Sequence, residues 1–358
     1  MKFLILLVSI IPALAKAQVY GFEKINHSIY TKIVSQIEVT NLPPIMAQDT
    51  LGICYAYAAS TMLTAENCRA LGNHKCDQLK QNEIFSPLGL SPSGRVESEG
   101  EKGKDKSSDV LDDLAGGNIT NALSSVVTYG GAPSEECLSL DRILSNVGGA
   151  KEATQLQMDL WLKLRGLYDK SKKIPKDCAS CTADFYATAK GEIEKNFDLK
   201  VSNESLLKAF AEKTYSEFFD HLFMPGSCRR MGTRVELESS GKVDVDLYPN
   251  TNGNYKDTLN KIKDILNSGR PVGINDLCLD KIPTRLDTCK QPHGVVIAGY
   301  RRVCQRTSTT NCRDVIRVVN SWGESWQQQN DNGWVDAKVL LDTTFYARGT
   351  LTWLKDRK

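Results

Sequence analysis

Residues 48–68 read Gln48-Asp-Thr-Leu-Gly-Ile-Cys54-Tyr-Ala-Tyr-Ala-Ala-Ser-Thr-Met-Leu-Thr-Ala-Glu-Asn-Cys68. From Cys54 onward this stretch is rich in alanine, and it contains no glycine or proline until Gly72. Such a composition predicts a buried helix that begins near Cys54 and ends at Gly72. The N–H groups at the start of a helix stabilise an anion, and the thiolate is the nucleophilic form of cysteine. The stretch therefore places a candidate nucleophile in the first turn of a buried helix.

A thiol nucleophile requires a base, and the sequence contains four histidines. His293 begins the apolar run His293-Gly-Val-Val-Ile-Ala-Gly-Tyr300, which predicts a strand that can aim the imidazole. Asn320 follows the next apolar run and precedes Trp322, so its amide can orient the imidazole beneath a ring that excludes water. The order Cys, His, Asn indicates nucleophilic acyl transfer. The other histidines are expected to be ordinary surface or loop residues, namely His27, His74 and His221.

Four blocks of the sequence resemble papain-like cysteine peptidases. The run Gln48-Asp-Thr-Leu-Gly-Ile-Cys54-Tyr-Ala is similar to the family signature Gln-x-x-x-Gly-x-Cys-Trp-Ala. The run Asn320-Ser-Trp-Gly-Glu-Ser-Trp326, followed by Asn332-Gly-Trp, is similar to the Asn-Ser-Trp-Gly…Trp…Asn-Gly-Tyr block. Between them, Gly116-Gly117-Asn-Ile119 and Gly130-Gly-Ala-Pro-Ser-Glu-Glu-Cys137 resemble the glycine pair beside the substrate backbone and the turn after it. The resemblance covers residues 40–140 and 230–353.

The resemblance implies an α+β, papain-like two-lobe fold, with a helical lobe, a β-rich lobe and a cleft between them. The implied reaction is peptide-bond hydrolysis through a thioester, with a peptide or protein as substrate. Cys54 would attack, His293 would pair with the thiolate and later protonate the leaving amine, and Asn320 would fix the imidazole. Gln48 would stabilise the oxyanion together with the Cys54 N–H. No metal and no organic cofactor is implied.

The resemblance also implies a set of substrate-binding residues. Gly116 and Gly117 would bond to the extended substrate backbone. Ile119 matches a wall position of the main side-chain pocket, which implies an apolar preference there. Trp322 is also assigned to the substrate-binding set.

Some positions depart from the family pattern. Tyr55 replaces the usual Trp after the nucleophile. Leu51 and Leu114 stand where the family has a disulfide pair, so an apolar contact can replace that bridge. Pro292 precedes the histidine, where many relatives carry Asp or Asn. Residues 18–47 are too few for a long inhibitory propeptide.

Residues from about 140 to 228 form a predicted helical insert that the resemblance does not cover. Apolar residues recur at three- and four-residue steps in Lys151–Tyr168 and in Glu204–Phe223, which predicts two amphipathic helices. The insert is expected either to narrow the cleft or to act as a stabilising or docking subdomain for a protein inhibitor or partner. Beyond it, Arg234–Tyr248 is predicted to form a hairpin, Tyr255–Leu266 a helix, and three later apolar runs strands.

The N-terminus has the layout of a signal peptide. Lys2 precedes the apolar run Phe3–Ile11, and Ala15-Lys-Ala17 is a small-residue cleavage site. Residues 1–17 are therefore expected to be removed, leaving residues 18–358 as one peptidase domain interrupted by the insert. The apolar run is shorter than the ~20 residues that span a bilayer, so we expect a secreted or periplasmic protein without a membrane span.

The sequence contains 11 cysteines, too many for a reduced cytosolic protein of this size. With Cys54 set aside as the nucleophile, the other ten can form disulfides. The pairs expected first are local: Cys68 with Cys76, Cys278 with Cys289, and Cys304 with Cys312. The remaining cysteines allow three pairings and are Cys137, Cys178, Cys181 and Cys228.

The spacing Cys178-Ala-Ser-Cys181 also occurs in redox and zinc sites. Here it lies between predicted helices rather than after a strand, and further zinc ligands are weak candidates. A structural disulfide is the preferred interpretation.

The charge balance argues against nucleic acid as a partner. Lys and Arg total 45 and Asp and Glu total 43, which gives a formal net charge of +2. Neither the whole chain nor any local run provides a strong positive field. Two alternatives to a peptidase remain: a catalytically silent papain-like module that binds peptides or proteins, and a thiol-dependent amidase or transpeptidase that acts on cell-wall peptides.

Overall fold

The computed structural model describes residues 22–73, 75–95, 116–147, 153–175, 177–224, 226–230, 232–248, 254–279, 292–308, 310–342 and 351–357. The expected signal peptide, most of the 91–108 segment, His74, Leu114 and Cys289 lie outside the described residues. No helix in these ranges is both long enough and apolar enough to span a bilayer.

The chain has an α+β architecture, which confirms the predicted fold class. The helices are α1 (Cys54–Leu71), α2 (Pro87–Gly94), α3 (Ile119–Tyr129), α4 (Leu140–Ile143), α5 (Ala153–Ser171), α6 (Ala179–Asn196), α7 (Asn203–Ala211), α8 (Tyr215–Phe223), α9 (Tyr255–Asn267), α10 (Gly323–Gln329) and α11 (Ala337–Asp342). The strands are β1 (Tyr30–Glu38), β2 (Gly131–Pro133), β3 (Arg234–Glu236), β4 (Val243–Tyr248), β5 (Val272–Cys278), β6 (Pro292–Gln305), β7 (Cys312–Val319), β8 (Trp334–Asp336) and β9 (Leu351–Asp356).

The main sheet is antiparallel, with the strand order β4-β9-β5-β6-β7-β8. One edge of the long strand β6 pairs with β5 along the first half of β6 and with β1 along the second half. The opposite edge of β6 pairs with β7. The strands β2 and β3 form a separate two-stranded sheet. This topology brings the first residues of β6 and the end of β7 together beside the helical part of the molecule.

Helix α1 is the central helix of the fold and packs against β5 and β6. Every residue from Tyr55 to Cys68 is buried, which explains the alanine-rich composition, because small side chains allow close approach on all faces. The helix ends at Gly72, whose left-handed φ of 65° closes the C-terminus as predicted.

Charged groups fix the far end of α1 to the sheet. Arg270 precedes β5, and its guanidinium Nε lies 3.0 Å from Glu66 Oε2 in α1. Its Nη2 lies 2.6 Å from Asp356 Oδ1 in β9. Because Glu66 and Arg270 are almost completely buried, the pair holds the nucleophile helix in register with the sheet.

The helical insert consists of α5 to α8 and has an aromatic core. The rings that pack together there are Trp161, Tyr168, Phe197, Phe210, Tyr215, Phe218, Phe219 and Phe223. These residues belong to the same hydrophobic core cluster as α1 and the sheet, so the insert is packed onto the rest of the fold.

Two sequence predictions about secondary structure are wrong. The residues predicted as one helix over Glu204–Phe223 form α7 and α8, because Thr214 and Glu217 make a capping box that starts a new helix. The hairpin predicted over Arg234–Tyr248 does not form, since β3 pairs with β2 and β4 pairs with β9.

The predicted disulfides Cys68–Cys76 and Cys304–Cys312 are confirmed. Cys278 is disulfide-bonded, while Cys289, its predicted partner, lies outside the described residues.

The four cysteines whose pairing the sequence left open form two bridges. Cys137 bonds to Cys228, so this bridge joins the two ends of the insert. Cys178 bonds to Cys181 at the start of α6. Among the described residues Cys54 is the free cysteine, which leaves it available as a nucleophile.

Candidate active site

Cys54 is the first residue of α1, and its side chain is partly exposed. The first turn of α1 contains no acidic residue that would oppose a thiolate. The backbone N–H of Gly294 donates to the Cys54 Sγ at 3.3 Å. A Cβ at position 294 would lie 3.4 Å from the Tyr55 backbone, so β6 packs in van der Waals contact with the start of α1. The cysteine therefore lies where the N-terminus of the helix meets the start of β6.

His293 immediately precedes this glycine and is 5% exposed. Its Nε2 lies 2.8 Å from Asn320 Oδ1, and the same oxygen accepts the backbone N–H of Ser321 at 2.8 Å. Because Asn320 Oδ1 is an acceptor, the proton of this bond belongs to His293 Nε2. The other ring nitrogen, Nδ1, is then left to exchange a proton with Cys54. The predicted order Cys, His, Asn is thus assembled in space.

The Cys54 and His293 side chains form a coupled pair. Burial raises the pKa of Cys54, but the positive charge and hydrogen bond of His293, with the N–H groups of Gly294 and Tyr55, outweigh burial and leave this pKa below its ordinary value. Burial lowers the pKa of His293, but the Cys54 charge and the hydrogen bonds to Cys54 and Asn320 leave it above its ordinary value. These opposite shifts favour a thiolate–imidazolium pair.

Trp322 stacks on the His293 ring, with a centroid distance of 4.9 Å and an interplanar angle of 28°. Phe22 and Trp326 pack edge-on against Trp322. The aromatic group covers one face of the imidazole, which keeps water from the bond between His293 and Asn320.

Gln48 lies between the two sides of the site. Its backbone N–H donates to the Ser321 carbonyl at 2.8 Å, and its Oε1 accepts the Ser321 hydroxyl. Its Nε2 donates to the Leu51 carbonyl at 2.8 Å. The Leu51 carbonyl can only accept, so it fixes which end of the amide is nitrogen, and Nε2 is directed toward the loop that leads to Cys54. This nitrogen carries two N–H groups, and the bond to Leu51 takes one of them.

The glycine pair lies beside the same loop. Gly116 has a φ of 82°, and its N–H donates to the Gly52 carbonyl at 3.2 Å. A Cβ at Gly117 would lie 2.4 Å from the Tyr55 ring, so only glycine fits there. The Tyr55 hydroxyl donates to the Ser91 carbonyl at 2.8 Å, so the ring that replaces tryptophan is itself anchored.

Ile119 is fully buried and begins α3, where its N–H donates to Asn275 Oδ1 at 2.9 Å. Its side chain lies beside Gly273 and Gly294. Its role as a wall of the substrate pocket remains a prediction, as do the substrate contacts of Gly116, Gly117 and Trp322.

Sequence reasoning missed Gly294 and Ser321. The dipeptide His293-Gly294 is the local signal for the first, because a glycine beside a catalytic residue indicates close backbone approach. Ser321 has no such signal, since its partner Gln48 is 273 residues away. Within the described ranges, no cluster of three or more His, Cys, Asp or Glu residues is arranged to hold a metal ion.

The comparisons with known proteins return structural neighbours alone. No family model and no curated protein matches the chain. Xylellain, a cysteine protease from Xylella fastidiosa, is 12% identical, with 95% of this chain and 97% of that chain covered and a TM-score of 0.41. The bromelain protease from Ananas comosus, in complex with the E64 inhibitor, is 11% identical, with 90% and 97% covered and a TM-score of 0.37. The SERA5 proenzyme from Plasmodium falciparum is 15% identical with a TM-score of 0.39; 88% of this chain is covered, and the match spans 62% of that chain.

Proposed function

We propose that the protein is a papain-like cysteine peptidase that hydrolyses peptide bonds through a thioester. The observation that carries the proposal is the assembly of three residues distant in sequence. Cys54 lies at a helix N-terminus, and His293 bonds to Asn320 at 2.8 Å. The pKa of Cys54 is lowered and that of His293 is raised.

In the acylation step, the Cys54 thiolate attacks the carbonyl carbon of the scissile peptide bond. The carbonyl π electrons move to oxygen, and a tetrahedral intermediate forms. The His293 imidazolium then gives its Nδ1 proton to the leaving amine, the C–N bond breaks, and a thioester with Cys54 remains. Asn320 holds the ring so that Nδ1 keeps facing the sulfur throughout.

In the deacylation step, neutral His293 takes a proton from water, and the resulting hydroxide equivalent attacks the thioester. The C–S bond breaks, the carboxylic acid leaves and the thiolate is restored. The developing oxyanion of both steps would be bound by the second N–H of Gln48 Nε2 and by the backbone N–H of Cys54. Gly116 and Gly117 would bind the substrate backbone, and Ile119 would contact its side chain.

The disulfides fit a protein that works in an oxidising compartment. We accordingly propose that the mature enzyme is secreted or periplasmic, after cleavage behind Ala17. Residues 18–358 would then be a single peptidase domain with the insert within it.

The test combines labelling with product analysis. The purified mature protein is treated with a thiol-directed epoxide, and the adduct is mapped by mass spectrometry. Wild type should be labelled at Cys54 and should cleave ordinary α-peptide bonds in an unmodified protein. The Cys54→Ala variant should fold normally, resist labelling and show no cleavage.

Other outcomes would identify a different function. A folded Cys54→Ala variant that still cleaves would refute the assignment. A wild type that is neither labelled nor active would indicate a silent peptide-binding module. Labelling without cleavage of α-peptide bonds, together with activity on cell-wall peptides, would indicate an amidase or a transpeptidase.

A further inference from the structure

The helical insert contacts the loop that carries Gln48 to Cys54. The Thr50 hydroxyl accepts the indole Nε1–H of Trp161 at 3.0 Å and donates to Gln157 Oε1 at 3.2 Å. The Gln157 side chain also lies close to the Asp49 carboxyl. Two buried side chains of α5 therefore bind the hydroxyl of one loop residue, Thr50.

The contact is built from buried groups. Trp161 is 0% exposed and Gln157 is 5% exposed, although both lie on a helix of an insert. The Thr50 hydroxyl has one proton to donate, and that proton is committed to Gln157. Because leaving a buried indole N–H or amide oxygen without a partner is unfavourable, both sides of the contact favour one geometry.

The loop itself needs such support. Asp49 has a φ of 51°, the left-handed conformation that residues other than glycine rarely adopt. It lies between Gln48 and Leu51, so its conformation shapes the turn that the bond from Gln48 Nε2 to the Leu51 carbonyl closes. The bonds from Gln157 and Trp161 hold Thr50, the next residue of this turn.

A second contact joins the insert to the other side of the nucleophile. Both guanidinium Nη atoms of Arg95 pair with the Asp220 carboxylate of α8, at 3.0 and 3.1 Å. The backbone of Arg95 forms a β-bridge with Gly117, and its side chain lies close to Tyr55. The insert thus contacts Thr50 in the loop before Cys54. Through Arg95 it also reaches Tyr55, the residue directly after Cys54.

We propose that Gln157, Trp161 and Asp220 are positioning residues. Through them the insert fixes the oxyanion loop (residues 48–53) and the glycine pair (Gly116 and Gly117) in their catalytic geometry. The inference rests on the proposed peptidase function for its catalytic consequence. Its structural content, that α5 orders residues 48–53, stands independently of that function. The insert is then part of the catalytic scaffold rather than an appended subdomain.

The test compares two glutamines of α5. Gln157→Ala removes the bond to Thr50, whereas Gln155→Ala is the matched control, because Gln155 is exposed and bonds to Asp159 on its own helix. We expect Gln157→Ala to lower kcat at least tenfold with KM changed less than twofold, because an oxyanion donor matters most in the transition state. Gln155→Ala should leave both values unchanged.

Two further measurements exclude a general structural defect. Alkylation of Cys54 by iodoacetamide needs the thiolate but no oxyanion hole, so its rate in Gln157→Ala should stay within twofold of wild type. Amide hydrogen exchange over residues 48–53 should be at least tenfold faster in Gln157→Ala than in Gln155→Ala. Trp161→Phe keeps the packing but loses the N–H donor, and should change kcat and exchange in the same direction.

The second contact has its own pair of variants. Asp220→Asn weakens the bond to Arg95, and the control Asp169→Asn alters an exposed ion pair with Arg165 on α5. Asp220→Asn should raise KM for a peptide that reaches the glycine pair, and Asp169→Asn should not.

The outcomes separate the two proposals. If Gln157→Ala matches Gln155→Ala in both kcat and hydrogen exchange, the positioning role is refuted while the peptidase assignment stands. A parallel loss of Cys54 alkylation in Gln157→Ala would also refute it, since the variant would then be disordered at the nucleophile. If wild type cleaves no peptide, the peptidase assignment fails, and faster exchange in Gln157→Ala would still establish the ordering of the loop.

Discussion

Replacing His293 with glutamine tests the ion pair without any substrate. Glutamine can still bond to Asn320, but it brings no positive charge. Burial, the largest influence on Cys54, raises its pKa and remains in the variant, whereas the charge and hydrogen bond of His293 that lower it are lost. The pKa of Cys54 must therefore rise.

The size of the effect follows from ionisation. A cysteine with an ordinary pKa of about 8.5 is about 0.3% thiolate at pH 6, and burial keeps the variant at or below this value. Because the pKa of Cys54 is lowered in wild type, its thiolate fraction at pH 6 is higher than this, by about tenfold for each unit of lowering. A less basic thiolate is also a weaker nucleophile, and a Brønsted coefficient of about 0.4–0.5 offsets about half of this gain on a logarithmic scale. The expected net decrease in alkylation rate at pH 6 is therefore about threefold for each unit by which the pKa rises in the variant.

The assay is the rate of Cys54 carbamidomethylation by iodoacetamide as a function of pH. The alkylation rate of wild type should rise at a lower pH than the alkylation rate of His293→Gln. His221→Gln is the matched control, because this histidine is exposed on α8 and pairs with Glu212. If folded His293→Gln and wild type react within twofold of each other at pH 6, the ion pair does not exist.

Three further predictions concern the imidazole, the buried ion pair and the insert. Asn320→Ala should lower kcat by up to about 100-fold, because misplacing a catalytic group by about 1 Å can reduce the rate by this factor. The loss should be smaller than the loss in Cys54→Ala, and steady-state kinetics measure both. Arg270→Met should destabilise the fold by up to about 3–5 kcal/mol in denaturant unfolding, since it removes the buried partner of Glu66 and leaves this buried carboxylate with Arg69, which is more exposed. Replacing Cys137 and Cys228 by alanine should cost about 4.6 kcal/mol, the loop entropy of a bridge with a sequence separation of 91.

Each of these predictions has a matched comparison. Arg69→Met removes the more exposed partner of Glu66 and should cost less than Arg270→Met. Removing Cys304–Cys312, with a sequence separation of 8, should cost about 2.5 kcal/mol by the same entropy relation. Equal costs within either pair would contradict the reasoning. Equal losses of kcat in Asn320→Ala and Cys54→Ala would show that Asn320 does more than orient the ring.

Local patterns predicted the parts of the fold that local physics determines. Helix α1 and its end at Gly72 follow from composition and from the conformational freedom of glycine. The apolar runs that became β5, β6 and β7 were recognisable because buried strands have few polar residues. The Cys304–Cys312 bridge closes a hairpin, so sequence proximity was enough to pair it.

Pairings that depend on the whole topology were not predictable in this way. Strand β4 pairs with β9 at the far end of the chain instead of turning back on β3, and no local signal distinguishes these choices. The bridge Cys137–Cys228 was one of three possible connectivities. Gln48 was assigned from its spacing to Cys54, but its fixation by Ser321 required the fold.

The contacts that suggest a function for the insert were likewise not predictable from the sequence. Thr50 meets Gln157 and Trp161 across 107 and 111 residues, and Arg95 meets Asp220 across 125. None of these residues belongs to a motif, so the sequence supported only the idea that the insert narrows the cleft or docks a partner.

The same contacts change how that idea can be tested. Deleting the insert removes Gln157, Trp161 and Asp220 together, so a loss of activity after deletion would report a disordered oxyanion loop and say nothing about access to the cleft. Gating requires a comparison in which these contacts remain. A single proteolytic cut within the insert, with the Cys137–Cys228 bridge still joining its ends, meets this condition. If the cut raises cleavage of a folded protein but leaves cleavage of a short peptide unchanged, the insert restricts access; if both rates stay the same, its role is positioning alone.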